Sequence, residues 1–402
     1  MPAPVSLVLV GVGGMGAVYV QALLDRKDEG LFRIAGAVDP EPNRCRQYTE
    51  MRALGVPCFV SMPDFYRNKA AELAILSSPI QCHKSQTCMA LAKGSHVLCE
   101  KPAAATIQDV REMREAEKGT ARWVAVGYQW SFSSAVQDLK KDILAGLMGK
   151  AKRMKCLYLW PRDEAYYRRN DWAGRKRDAE GAWVLDSPVQ NAMAHDLHNM
   201  FYLLGDAADS SAKPAAVEAE LYRANAIENY DTAAARVRTE EGVEVLFLVS
   251  HASGSDRGPV VRFEFEKAAV LCDSRTSGLR AEFADGTRKD YGVPDAEPMN
   301  KLWRSISGVR DDVRPLCGLE AAASQTVCMN GMQESMPGIR DFPPALVRAV
   351  ESAAGRRLAV EGLDEALEQC YESWLLPSEM GLHWSAKGTP VDLRDYAAFP
   401  SR

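Results

Sequence analysis

The chain opens with short, almost wholly apolar runs separated by amphipathic stretches. This is the pattern of strands buried on both faces and joined by helical crossovers. Ser6–Val10, Phe32–Val38, Cys58–Val60, Ala74–Ser77, His96–Cys99 and Trp123–Gly127 read as strands. Helices are expected from about Ala17 to Leu24, from His83 to Lys93 before a left-handed stop at Gly94, and from a capping box at Thr106–Asp109 to Lys118. Strands alternating with helices point to an α/β chain whose first part is a doubly wound parallel sheet.

Beyond Gly127 the pattern changes. A helix is expected at Ala135–Leu144, a strand at Ala151–Trp160, an aromatic and basic loop from Pro161 to Gly181, and a helix from about Asn191 to Leu204. Antiparallel strands are expected at Val217–Tyr222, Thr232–Arg238, Val243–Ser250, Val261–Phe265, Ala269–Cys272 and Gly278–Phe283, with hairpin signals at Glu240–Gly242 and Asp285–Gly286. Helical patterning returns over Lys301–Met336, Pro344–Ala354 and Leu363–Gly381. The reading is two domains, 1–128 and 129–402, the second an α+β domain on a large, mainly antiparallel sheet. Val243–Val249 is largely apolar on both faces, and one face suffices to cover the domain's own helices. The other is expected to pack on a symmetry mate, giving a homodimer or homotetramer.

Composition narrows the class. With 402 residues, 47% apolar and 26% charged, the chain is long enough for two sizeable cores. Forty-nine basic and fifty-four acidic side chains give a net charge of -5, so no nucleic-acid partner is expected. Apolar runs fall well short of the roughly 18–20 residues of a membrane span, and Val5–Val10 lacks the basic leader of a signal peptide. A soluble, cytoplasmic protein without a membrane partner is expected. Ten cysteines without a Cys-x-x-Cys pair read as mostly buried free thiols, and no metal site is expected.

The first chemistry lies in Gly11-Val12-Gly13-Gly14-Met15-Gly16, between a strand and a helix. Glycines so spaced allow a tight turn, close approach of backbone to a pyrophosphate, and close helix–strand packing, as in the Rossmann dinucleotide fingerprint. Asp39 ends the second strand, where a carboxylate accepts hydrogen bonds from ribose hydroxyls and repels a 2′-phosphate. NAD is expected in preference to NADP.

Three further strand ends carry a resemblance: Ser77-Ser78-Pro79 with His83, Glu100-Lys101-Pro102, and Gly127-Tyr128-Gln129. In order and spacing the chain resembles the glucose–fructose oxidoreductase / inositol dehydrogenase / rhizopine catabolism (Gfo/Idh/MocA) family. The resemblance covers most of the chain and is strongest to about residue 205. It implies that Lys101 lies beside the nicotinamide and the substrate hydroxyl, with Glu100 positioning it and the cofactor. Ser77, Ser78, Pro79, His83 and Gln129 would flank the cofactor, and Tyr128 the substrate. An ammonium at a strand's carboxyl end can stabilise developing oxyanion charge or exchange a proton.

The family's second signature is Asp-x-x-x-His on a helix. Here it reads Asn191-Ala192-Met193-Ala194-His195-Asp196-Leu197-His198, closed by Leu204-Gly205. Counting back from Gly205 places His195 on the catalytic histidine, and four-residue spacing would put Asn191 on the same helix face. Asn191 replaces an aspartate and cannot carry charge, so acid–base duty is expected of Lys101 and His195. Asp186 is a candidate to replace the missing charge, and His198 is expected to pack. Related enzymes place a substrate-lining loop at the aromatic and basic segment, which makes Arg162, Tyr167, Arg169 and Trp172 substrate candidates. The resemblance implies NAD-dependent oxidation or reduction of a secondary hydroxyl on a sugar or polyol. Redox-neutral use of tightly held NAD, in glycoside cleavage or epimerisation, and a non-catalytic NAD-binding regulator are the alternatives.

Overall fold

The computed structural model describes residues 3–352 and 355–400. In chain order its first elements are β1 Val5–Val10, α1 Met15–Asp25, β2 Phe32–Val38, α2 Tyr48–Ala53, β3 Cys58–Phe59, α3 Met62–Asn68, β4 Leu73–Leu76, α4 His83–Ala92, β5 His96–Cys99, α5 Ile107–Lys118 and β6 Val124–Val126. Next come α6 Ser134–Leu144, β7 Ala151–Leu159, α7 Glu164–Arg168, α8 Ala194–Leu204, β8 Pro214–Arg223, β9 Thr232–Thr239, β10 Glu244–Ser250, β11 Arg257–Phe265, β12 Ala268–Cys272, β13 Leu279–Phe283 and β14 Arg288–Gly292. The chain closes with α9 Asn300–Asp311, α10 Leu319–Ser335, β15 Arg340–Asp341, β16 Val347–Ser352, β17 Gly355–Val360, α11 Leu363–Ser373 and β18 Val391–Asp392.

Two compact units result. The first holds residues 1–104, 108–132 and 297–323; the second holds 105–107, 133–296 and 324–402. In the first unit six strands run parallel in the order β3-β2-β1-β4-β5-β6. β1, β4 and β5 are buried throughout, as strands covered on both faces must be. α9 returns from late in the chain to pack on those same three strands. The strand order reverses beside β1, which creates the crevice where such sheets bind ligands.

The second unit is built on ten strands in the order β14-β13-β12-β11-β7-β10-β9-β8-β15, with β18 against β8. It is mixed rather than simply antiparallel, because β10 pairs parallel to β7 and β15 parallel to β8. Residues 105–107 are tied into this unit by Asn330, whose side chain accepts from the Ile107 N–H and donates to the Ala105 carbonyl, both at 2.9 Å.

The expected symmetry mate loses its basis here. Leu246 and Leu248 of β10 and Leu157 and Leu159 of β7 are covered by Leu363, Leu367, Cys370 and Tyr371 of α11, with Leu376 and Trp384 beyond it. α8 packs against β7 as well. Every residue of β10 from Val245 to Ser250 is buried within one chain.

Other expectations also change. The helix expected over Pro344–Ala354 is a 3-10 turn at Pro344–Leu346 followed by the β16–β17 hairpin, in register Val347 to Val360. Cross-strand pairing, with Arg348 opposite Ala359 and Glu351 opposite Arg356, overrides the helix propensity of the alanines and of Glu351; Ala353 and Ala354 lie outside the described residues. The helical run from Lys301 to Met336 breaks where Asp312 adopts a positive φ of 51°, and the one from Leu363 stops at Trp374, φ 60°. β14 escaped notice because its edge position leaves it charged and mostly exposed. All ten cysteines are free thiols, seven of them buried, with Cys58, Cys82 and Cys88 half-buried. Among the described residues no helix is long and apolar enough to cross a membrane.

Candidate active site

The glycine turn divides its labour. A Cβ at Gly16 would lie 2.1 Å from the Gly11 carbonyl oxygen, and one at Gly11, which has φ +76°, would lie 2.9 Å from the backbone of Ser77 and Ser78. Both are bare because the β1–α1 turn must pack closely on the end of β4. Gly13 is different, since nothing lies within 4 Å of where its Cβ would be. Behind that open space α1 begins with a glycine N-cap and no acidic residue in its first turn. The helix's own first turn therefore offers its N–H groups and dipole no acidic side chain, the arrangement a pyrophosphate needs.

Asp39 is fixed beside this turn: one carboxylate oxygen accepts the Val12 N–H at 2.9 Å and the other the Glu41 N–H at 2.8 Å. Ser77 donates to the Gly11 carbonyl at 2.7 Å. A cavity of about 600 Å³ opens here, and Gly11, Gly13, Asp39, Ser77, Ser78 and Pro79 all line it. Val60, Met62 and Met89, which sequence reasoning missed, add apolar wall. These features fit a dinucleotide.

His83 takes another part. Its buried ring has Nδ1 2.9 Å from the Pro102 carbonyl and Nε2 3.0 Å from the Ser78 carbonyl, so it ties the end of β5 to that of β4. Burial holds its pKa below the ordinary value. Both nitrogens face protein carbonyls, and the neutral ring donates to one of them.

Glu100 points inward. It accepts from the Tyr19 hydroxyl at 2.6 Å, from the Lys101 N–H at 3.1 Å and from the Lys301 ammonium, which also donates to the Gly127 carbonyl at 3.3 Å. Burial pushes its carboxyl up, but Lys301 and these hydrogen bonds outweigh that and leave it below the usual carboxylate range. A Cβ at Gly127 would sit 2.9 Å from the Glu100 Oε1, which explains that glycine. Glu100 thus holds the Lys101 backbone, while Lys101 itself is half-buried at the carboxyl end of β5. Lys301 was not legible in the sequence, lying 201 residues from its partner on a helix of ordinary amphipathic pattern. Tyr128 is fully buried and presents no surface to a substrate, whereas Gln129 is half-buried at the start of a short 3-10 turn.

In the second unit α8 begins at Ala194, so Asn191 stands in the preceding turn and not on a helix face shared with His195. The Met193 N–H bonds back to Pro188, forming a wider turn than a helix uses. His195 is half-buried in the first turn of α8. His198 is buried against Tyr202, and burial together with Lys140 pushes its pKa down to about 3, as suits a packing residue. Between the two histidines, Asp196 is buried, which keeps its carboxyl well above the carboxylate range.

An acid stands beside Asn191. Asn191 donates to the Asp186 Oδ1 at 3.0 Å, while the Asp186 Oδ2 accepts the Gly174 N–H at 2.7 Å and lies 3.6 Å from the Arg169 guanidinium. Leu185, buried at φ 55°, turns the chain to set Asp186 there. Arg169 stacks on Tyr166 at 3.7 Å and faces Trp172 at 5.2 Å; Arg162 stacks on Trp160 at 3.6 Å and faces Tyr166 at 4.5 Å. Tyr166, absent from the expected set, is the hub of this stack. Tyr167 packs edge-on against Tyr166 and lines a separate cavity of about 630 Å³ with Arg175, Glu228 and Arg356.

Comparison with known proteins finds likenesses of sequence and fold. Residues 5–128 match the family described as "Oxidoreductase family, NAD-binding Rossmann fold" (GFO_IDH_MocA). The chain is 27% identical over 157 residues to the rhizopine catabolism protein MocA of Rhizobium meliloti, covering 39% of this chain and 47% of that one. It is 26% identical over 147 residues to glucose-6-phosphate 3-dehydrogenase of Bacillus subtilis, covering 37% and 40%. Those matches span less than half the length of either relative. The fold resembles that of the WlbA dehydrogenase from Bordetella pertussis, solved with NADH and UDP-GlcNAcA: TM-score 0.67 at 21% identity, over 83% of this chain and 97% of that one. Residues 5–128 thus match the NAD-binding Rossmann domain of the Gfo/Idh/MocA oxidoreductases, and the relatives named above support that likeness.

Proposed function

We propose that the protein is an NAD-dependent oxidoreductase acting on a secondary hydroxyl of a sugar, polyol or sugar derivative. The observation that carries this reading is the open space at Gly13 beside the anchored Asp39, on the same sheet that ends in Glu100-Lys101. Bound NAD supplies the hydride acceptor. The α1 N-terminus and the Gly13 turn would hold the pyrophosphate, and Asp39 the adenosine ribose, with its charge set against a 2′-phosphate. That selects NAD over NADP.

Lys101 would donate to the substrate oxygen as negative charge develops, and His195 would take the hydroxyl proton. Asn191 would orient the sugar or the imidazole, with the Asp186 carboxylate 3.0 Å away supplying the negative charge that an asparagine lacks. The test is absorbance at 340 nm with NAD and a panel of sugars, polyols and sugar acids. Net NADH formation is expected, and Lys101→Ala should lower turnover by roughly 10²–10⁴-fold with little change in NAD affinity. A cofactor that stays bound through glycoside cleavage or epimerisation, without net absorbance change, would replace this reading with redox-neutral chemistry. Silence with every substrate and reaction would leave only a regulator.

A further inference from the structure

Around the loop after β7, cations and aromatic rings alternate. Arg275 lies 4.5 Å from the Trp160 ring, Arg162 3.6 Å from its centre and 4.5 Å from Tyr166, and Arg169 3.7 Å from Tyr166. The outer two arginines are neutralised: Arg275 by Asp256 at 2.7 Å, Arg169 by Asp186 at 3.6 Å. Arg162, in the middle, makes no ion pair with a carboxylate among the described residues, and Arg169 repels it.

A half-buried guanidinium without a counter-charge is costly, and stacking restores only part of its lost hydration. Its Nε is sealed from solvent and has no acceptor among the described residues, while the neutral Tyr166 hydroxyl is a side-chain partner that supplies no counter-charge. His251 adds no charge. Its Nδ1 lies 2.8 Å from the Trp160 carbonyl, and burial beside Arg162 and Arg169 pushes its pKa down to about 3. Three arginines against two carboxylates leave one positive charge, on a planar fork held between two rings.

We propose that Arg162 is the receptor for a single negative charge on the substrate, a carboxylate, which makes the substrate class sugar acids rather than neutral sugars. A guanidinium edge matches a planar carboxylate through two parallel N–H···O bonds, and one unbalanced charge suits a monoanion better than a phosphate dianion. The chain of contacts from Arg162 through Tyr166 and Arg169 to Asp186 and Asn191 joins this receptor to the turn before His195. The inference rests on the oxidoreductase reading for its relevance to catalysis, though the binding test is independent of it.

The experiment is calorimetry on the full chain saturated with NAD, titrated with D-glucuronate, D-galacturonate and D-gluconate, their neutral parents D-glucose and D-galactose, and glucose 6-phosphate. At least one acid should bind roughly 10–100-fold more tightly than its parent, the worth of a charge-assisted pair. Arg162→Met should erase that preference, and Arg162→Lys should keep part of it. Equal binding of acid and parent, failure of every acid, preference for the phosphate, or a preference that survives Arg162→Met overturns the proposal. Parallel 340 nm assays separate the two readings. Turnover of neutral sugars alone would sink this inference and spare the oxidoreductase, whereas acids that bind by way of Arg162 without turnover would do the reverse.

Discussion

Replacing Lys301 by methionine removes the ammonium from a pair in which the lysine side chain is 1% exposed and the Glu100 side chain 8%. Methionine fills similar volume, so the effect reads charge rather than a cavity. Glu100 would keep the Tyr19 hydroxyl and the Lys101 N–H but lose its only direct cationic partner among the described residues. Stranding one member of a buried pair costs about 3–5 kcal/mol, against about 0–1 for an exposed pair. In Glu100→Gln/Lys301→Met no buried charge is left, and most of that loss should return, giving a coupling of at least about 2 kcal/mol.

The pH dependence has a definite sign. In the wild type Glu100 sits below the usual carboxylate range, so its contribution is present above that range and fades as pH falls through its lowered value. In Lys301→Met burial dominates and raises the carboxyl, so the variant's deficit at pH 7 should shrink towards pH 5. Urea unfolding at both pH values measures this, with the first unit's transition identified as the one NAD moves to higher urea. A loss under about 1 kcal/mol for the single variant, or additive single and double variants, would refute the claim that this pair holds Glu100 in place.

The glycine turn offers a contrast. Gly13→Val should leave urea stability within about 1 kcal/mol yet abolish NAD binding by calorimetry, while Gly16→Ala, with its Cβ 2.1 Å from the Gly11 oxygen, should cost about 1–3 kcal/mol of stability. Asp39→Ser should shift the NAD/NADP affinity ratio towards NADP by about tenfold or more, and an unchanged ratio would remove Asp39 from the adenosine end. Asn191→Asp would face Asp186 across a contact now 3.0 Å long, so the two carboxyls should share a proton. Its stability deficit should be largest near pH 8 and fall with acid, and a pH-independent deficit would count against the Asn191–Asp186 contact.

What the sequence revealed follows from locality. The strands of the first unit came out within a residue or two because each is a short apolar run buried on both faces, and the glycine turn because its spacing is its mechanism. Asp186 was suspected from five residues away. Lys301 was invisible, since what makes it special is a partner 201 residues distant. The β16–β17 hairpin was misread because its helix-forming residues are held by cross-strand partners, not by local preference. The cover that α11 lays over β7 and β10 was missed for the same reason: an amphipathic stripe does not say which surface it will meet.

The return of residues 297–323 to the first unit bears on how the protein is made. A ribosome that has released Glu100 must add about 200 more residues before Lys301 emerges, roughly 10–40 s at ordinary elongation rates. Until then the parallel sheet has neither the helix that packs on β1, β4 and β5 nor the cation for its buried acid. The nucleotide-binding unit, first to leave the ribosome, is therefore not the first that can finish folding. An expression fragment cut at residue 132 would carry the fingerprint and still lack the piece that stabilises it.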